Sequence, residues 1–349
     1  MPVDGMDKAL SNLAAGVRRR ERRALAKAIT LIESTRPDHR RSAQTLLAAL
    51  MPHTGGAVRL GVSGVPGAGK STFIEALGMH LIERGKALAV LAIDPSSTVS
   101  GGSILGDKTR MERLSQQEAA FIRPSPSRGS LGGVAQMTRE TMLICEAAGF
   151  DVVIVETVGV GQSEAAVAGM TDVFALLQLP NTGDELQAIK RGIVERADLI
   201  AINKADIDPA AAHRARGQWL HALALLRPEE SMPPVLLLAA LKGEGVVEFW
   251  QAVERCLAHA RAQGRFEDRR REQALAWMWE LVERGLMHRL RTCPAVQQAL
   301  PETERSVAVG RMTAAQGAER LFDLMASAEA LPGASGPCAG RGAAISADI

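Results

Sequence analysis

The stretch Gly64-Val65-Pro66-Gly67-Ala68-Gly69-Lys70-Ser71 constrains this chain more than any other. It follows an apolar run, Val58 to Val62, and precedes a helical pattern from Thr72 to Arg84. Strand, glycine-rich loop and helix in that order are what a phosphate-binding P-loop requires. The glycines let successive backbone N–H groups turn inward as an anion-binding nest. Lys70 is placed to reach the β- and γ-phosphates, and the Ser71 hydroxyl to hold Mg²⁺. The positive end of the following helix, beginning near Thr72, adds to the attraction. The loop alone names neither the base nor the reaction.

A chain of 349 residues exceeds one small domain. Four segments are expected: a helical arm over 1–56, a P-loop domain over 57–255, a helical region over 256–330, and a tail over 331–349 rich in Gly, Ala, Ser and Pro, whose composition disfavours order. A net charge of +2 gives no global field for nucleic acid, and no basic stretch is interleaved with aromatics. The four cysteines and seven histidines are dispersed, which argues against a disulfide framework, a zinc site or a metal-storage tract. No apolar segment approaches the length of a membrane span. The arginines at 18–20 and 22–23 lack an apolar signal core, and Asp4, Asp7 and Glu21 argue against a transit peptide. A reducing cytoplasm is the expected location.

In the arm, Leu25, Ile29 and Ile32 fall on one helical face. Arg36-Pro37-Asp38 reads as a break before a second helix from about Ser42 to Met51. Beyond it, apolar strands alternate with helical stretches, the pattern of a parallel α/β sheet. The candidate strands are Val58–Ser63, Leu88–Asp94, Ala120–Arg123, Val152–Glu156, Val173–Leu179, Leu199–Asn203 and Val235–Ala239. The helical region that follows is expected to break near Cys293-Pro294 and again at Pro301.

Asn203-Lys204-Ala205-Asp206 ends a late strand. An Asp carboxylate there can accept from the N1–H and exocyclic amine of guanine together, a donor pair that adenine lacks. Asn203 and the Lys204 stem complete such a pocket. Glu156-Thr157-Val158-Gly159 closes another strand; its acid occupies the position that holds a metal directly or through water, and Gly159 can offer its N–H to a γ-phosphate. Asp94 ends a strand, and Asp107 and Arg110 lie in the glycine-rich stretch after it. Three carboxylates around a triphosphate are tolerable only beside a divalent cation. Arg110 faces phosphate or pairs with those acids. Gln178 to Lys190, containing Asp184, is either a mobile switch or a plain strand–helix connection.

Taken together, GVPGAGKS, the 93–111 stretch with its Asp-Pro-Ser-Ser and Gly-Gly-Ser-Ile-Leu-Gly-Asp-Lys-Thr-Arg-Met, ETVGVGQSE, GDELQAIKRGI and NKAD resemble the MeaB/ArgK/MMAA family of SIMIBI-class P-loop GTPases. That resemblance implies a parallel-sheet GTPase with helical extensions, binding GTP or GDP with Mg²⁺. It further implies a homodimeric chaperone of an adenosylcobalamin-dependent acyl-CoA mutase, methylmalonyl-CoA mutase first, with an adenosyltransferase as a second partner. Carried across by residue, Lys70, Asp94 and Glu156 serve catalysis, and Ser71, Asp94, Asp107 and Glu156 the metal. Asn203, Lys204 and Asp206 read the base. Arg110, Gly159, Gln178, Asp184 and Lys190 belong to switches. Ala239-Ala240-Leu241 lies where related GTPases often place a serine beside the base, so a hydroxyl contact is missing. A transport-linked P-loop kinase and a nickel metallochaperone of the same class are the alternatives; NKxD argues against the first, and the absence of a His- or Cys-rich ligand set against the second.

Overall fold

The computed structural model describes residues 7–34, 36–93, 111–123, 131–157, 163–180, 192–226, 228 and 232–330. Asp94, Asp107, Arg110, Gly159, Asp184, Lys190 and the 331–349 tail lie outside them. The described chain falls into two compact units, Met1–Arg271 and Glu272–Ile349.

Seven strands form one sheet in the order β3-β2-β4-β1-β5-β6-β7: β1 Val58–Gly64, β2 Leu88–Ile93, β3 Ala120–Arg123, β4 Val152–Thr157, β5 Val173–Gln178, β6 Leu199–Ile202 and β7 Val235–Leu237. All the pairings are parallel. Continuous apolar runs such as Leu88–Ile93 and Val173–Leu177 are what two covered faces demand, and every residue of β2 and β5 is buried. The expectation of a P-loop sheet with flanking helices is met, and each candidate strand is present within one or two residues of its expected limits.

Side-chain alternation sends β1 and β4 residues to opposite layers. Leu60, Val62 and Ile154 join a core with Phe73, Ile74 and Leu77 of α4 (Lys70–Glu83). Val153 and Val155 join a second core. That second core also holds Leu25, Ile29, Leu46 and Leu50, so the N-terminal helices α1 (Lys8–Arg18), α2 (Arg22–Glu33) and α3 (Pro37–Leu50) share it with the sheet. Arg20 fixes the α1–α2 turn. It sits at φ +58°, donates to the carbonyl oxygens of Ala148 and Gly149, and lies 4.8 Å over the Phe150 ring.

Pro37 does not precede a gap before the second arm helix; it occupies the first turn of α3, where its missing N–H leaves no bond unmade. The helix therefore starts five residues earlier than expected.

At the amino ends of the strands, buried ions are paired. Arg59 donates to Glu146 at 2.7 Å, and Arg270 to Asp172 at 2.6 Å, with the Asp172 side chain only 1% exposed. Arg270 also donates to the carbonyls of Gly55 and Ala57. The remaining helices within this unit include α5 (Glu112–Ser115), α6 (Leu131–Ala147), α7 (Ser163–Ala168), α8 (Pro209–Leu226), α9 (Val246–Ala262) and the start of α10 (Arg265–Thr292).

The second unit contains the rest of α10, then α11 (Pro294–Ala308) and α12 (Ala314–Ala330). Pro294 opens α11 as expected of a boundary, but Pro301 lies inside that helix and does not end it. Among its residues, Leu275, Met278, Trp279, Val282 and Leu286 form an exposed apolar stripe on α10 at helical spacing.

Candidate functional site

The P-loop leaves β1 at Gly64. That residue has φ +154°, and a Cβ there would fall 2.3 Å from the Leu177 carbonyl oxygen of β5. Only glycine lets the loop start this close to the neighbouring strand. Val65, Pro66 and Gly67 form the partly exposed to exposed crest, and Ala68 dips back into the core at 0% exposure. Gly69 turns the chain at φ +81° into α4; a Cβ on it would meet the Asn203 amide nitrogen at 2.7 Å.

Helix α4 opens with Lys70 and Ser71, with Thr72 part-exposed behind them. Lys70 is buried, and its ammonium donates to the carbonyls of Gly64 at 2.8 Å and Val65 at 3.1 Å. The loop's own carbonyls thus hold the cation against the backbone of the loop. The Ser71 hydroxyl donates to Glu156 Oε1 at 3.2 Å. Glu156 pairs with Val62 in the β1–β4 register and points to the α4 side of the sheet, which is why the two oxygens meet. Hydroxyl and carboxylate oxygens side by side are the hard donors that Mg²⁺ selects. Among the described residues no three His, Cys, Asp or Glu side chains cluster; Asp94 and Asp107, the other expected members, are not among them.

The NKAD segment follows β6 directly. Asn203 is 2% exposed and uses both ends of its amide. Its Nδ2 donates to the Ala68 carbonyl at 2.8 Å, and its Oδ1 accepts from the Ala240 N–H at 3.1 Å. Asn203 therefore ties the P-loop to the 239–241 turn. The sequence pattern placed it beside the base; the structure gives it this bracing role as well. Lys204 takes a left-handed φ of +60°, and its Cε lies 3.9 Å from where a Gly69 Cβ would be. Asp206 is partly buried, with a carboxylate oxygen 3.2 Å from the Lys242 ammonium. Ala239 and Ala240 are buried, whereas Leu241 is 86% exposed. Gln178 is the buried last residue of β5, and its carbonyl accepts from the Asn203 N–H at 2.8 Å.

Lys70, Ser71, Glu156, Asn203, Lys204, Asp206 and Ala240 thus converge on the carboxyl ends of β1, β4, β6 and β7, where ligands bind in open parallel sheets. Two contacts, the first of them buried, escaped sequence reasoning. The Thr157 hydroxyl donates to Ser63 Oγ at 2.8 Å, joining the residue after Glu156 to the residue before Gly64. Glu75, one turn along α4, accepts from the N–H groups of Arg113 and Leu114. The first pair was detectable only through the strand register; the second had no sequence signal.

The family profile described as methylmalonyl-CoA mutase-associated GTPase MeaB matches residues 25–295. The chain belongs to the MeaB family. A probable GTPase of Mycobacterium bovis is 52% identical over 321 residues, covering 91% of this chain and 96% of that protein. A mouse protein named methylmalonic aciduria type A homolog, mitochondrial, is 43% identical over 335 residues, covering 91% and 80%. A solved structure described as a LAO/AO transport system kinase matches with a TM-score of 0.75 and 40% identity, covering 92% of this chain and 99% of that one. As a MeaB-family member, the chain is a GTPase of that family, consistent with a site in which NKxD is built onto the P-loop. No helix among the described residues is long and apolar enough to cross a membrane.

Proposed function

We propose that this chain is a guanine-nucleotide switch that serves an adenosylcobalamin-dependent acyl-CoA mutase, methylmalonyl-CoA mutase first. The observation that carries the guanine part is the Asn203 brace, which sets Asp206 at a fixed place relative to the phosphate loop. The mutase part is supported by the description of the matching family, with the name of the mouse relative pointing to methylmalonate metabolism.

In this reading the backbone of Gly64–Gly69 and Lys70 grip the β- and γ-phosphates. Asp206 accepts from the guanine edge, and Lys204 lines the pocket beside Gly69. Ala239, Ala240 and Leu241 supply backbone contacts only. Ser71 and Glu156, with Asp94 and Asp107, hold Mg²⁺. When bound, that ion offsets charge on the transferring phosphoryl group. Lys70 stabilises the same developing charge, Asp94 and Glu156 orient water and metal, and water is the acceptor. Arg110, Gly159, Gln178, Asp184 and Lys190 are assigned to segments that respond to loss of the γ-phosphate. Hydrolysis is slow alone and stimulated by the partner. An adenosyltransferase is a second partner, and cofactor loading and protection of the mutase are the steps gated.

The exposed stripe Leu275, Met278, Trp279, Val282 and Leu286 supports a homodimer formed through the helical region. The cytoplasm remains the proposed location. Phosphoryl transfer to a protein or amino acid is the competing reading, favoured by the description of the solved relative. Two assays separate them. GTP hydrolysis should rise when mutase is added, and labelled γ-phosphate should appear only as inorganic phosphate. Rapid hydrolysis unaffected by mutase, or label on a protein, would reject the proposal.

A further inference from the structure

Asp206 and Lys242 sit on two neighbouring turns whose backbones are fixed without help from the ion pair between them. The Ala205 N–H donates to the Leu238 carbonyl at 2.9 Å, which ties the segment after β6 to the end of β7. Just beyond, Ala239 and Glu244 exchange both backbone hydrogen bonds, at 3.0 and 3.2 Å, and the Lys242 N–H donates to the Ala239 carbonyl at 2.9 Å. Asn203 Oδ1 accepts from the Ala240 N–H in the same turn. The 239–244 turn is therefore closed by its own backbone and by Asn203, and it carries the Lys242 ammonium to 3.2 Å from Asp206 Oδ2. The two partners differ in exposure: the Asp206 side chain is 18% exposed, that of Lys242 55%. A pair with one end so far in water adds little to folding. What it does is fix the direction of a carboxylate that lies mostly out of solvent.

We infer that Lys242 is a positioning residue for base recognition, orienting Asp206 so that both carboxylate oxygens meet the guanine edge. The inference rests on the reading of Asp206 as the guanine acceptor given above. A base that offers N1–H and an exocyclic amine side by side needs the two oxygens presented together. A carboxylate left to rotate must be ordered when the base arrives, at a cost to affinity. Lys242 does that ordering in advance. The lysine and the base are compatible on one carboxylate, which has about four lone-pair sites; Lys242 takes one and guanine two.

The test is competitive binding of GDP and ADP to the full chain. ADP is the control, because adenine offers Asp206 no paired donors. Lys242→Met should weaken GDP roughly threefold, within what a part-exposed ion pair supports, and leave ADP unchanged. Added salt should lower the GDP-to-ADP affinity ratio of the wild type towards that of Lys242→Met, whose own ratio stays flat. In an Asp206→Asn background, Lys242→Met should change the ratio no further, since the two residues act as one unit. Equal weakening of GDP and ADP would make Lys242 a structural part of the turn and overturn the inference. An unmoved ratio would overturn it too, as would tighter GDP binding by Lys242→Met, which would mean that the lysine competes with the base. Asp206→Asn alone separates the two levels. If it leaves the ratio unmoved, the guanine reading fails and the inference with it. If it collapses the ratio while Lys242→Met does not change it, only the positioning role fails.

Discussion

Replacing Asn203 by alanine removes two hydrogen bonds from the centre of the site. It leaves the Ala68 carbonyl and the Ala240 N–H without their partner at a position that is 2% exposed. An unsatisfied buried polar group costs about 1–3 kcal/mol, so the bound, fully formed site loses roughly 2–6 kcal/mol in total. That loss must be divided. If the P-loop and the 239–241 turn stay in place without nucleotide, it appears as lower folding stability. If they relax to reach water, stability is nearly kept, but nucleotide must then rebuild the site, and affinity falls about tenfold for each ~1.4 kcal/mol. Denaturant unfolding of the nucleotide-free protein gives the first part, and equilibrium binding of GDP gives the second. Their sum is the prediction. A sum below about 1 kcal/mol would refute the argument that Asn203 braces the phosphate loop.

Two further substitutions probe independent parts of the molecule. Lys70→Ala removes the cation that the Gly64 and Val65 carbonyls hold, and should abolish tight GTP binding in a fluorescent-nucleotide titration; unchanged affinity would contradict the phosphate role. Arg270→Gln leaves Asp172 charged at 1% side-chain exposure, and should destabilise the protein by about 3–5 kcal/mol in urea while GTP affinity of the folded protein is kept. The double variant Arg270→Met with Asp172→Leu should recover much of that loss, because no buried charge is then left alone.

The strands were readable because burial on both faces leaves almost no room for polar residues, so Leu88–Ile93 and Val173–Leu177 stand out as apolar runs. Pro37 and Pro301 were harder. Proline signals a break on average, yet the first turn of α3 has no use for its N–H, and α11 continues through Pro301. The site divided in the same way. Lys70, Ser71, Glu156 and Asp206 are residue types at spacings that the proposed chemistry requires, so motif reasoning could name them, and the fold brings them to the same strand ends. The second role of Asn203 and the Thr157–Ser63 pair depend on which strand ends lie side by side, which the order β4-β1-β5-β6 decides. Glu75 was invisible for a plainer reason: a glutamate on an amphipathic helix usually faces water, and only the fold shows α5 lying against it.

The central claim is that Asp206 reads guanine beside a P-loop. It is tested most directly by the base preference of the wild-type chain and of Asp206→Asn, measured by competitive binding of GDP, ADP and xanthosine diphosphate. The wild type should bind GDP far more tightly than ADP, because adenine offers the carboxylate no paired donors. Asp206→Asn should weaken GDP and favour xanthosine diphosphate, since the amide presents a donor where the carboxylate only accepts. Equal affinity of the wild type for GDP and ADP, or an unchanged preference in the variant, would contradict it.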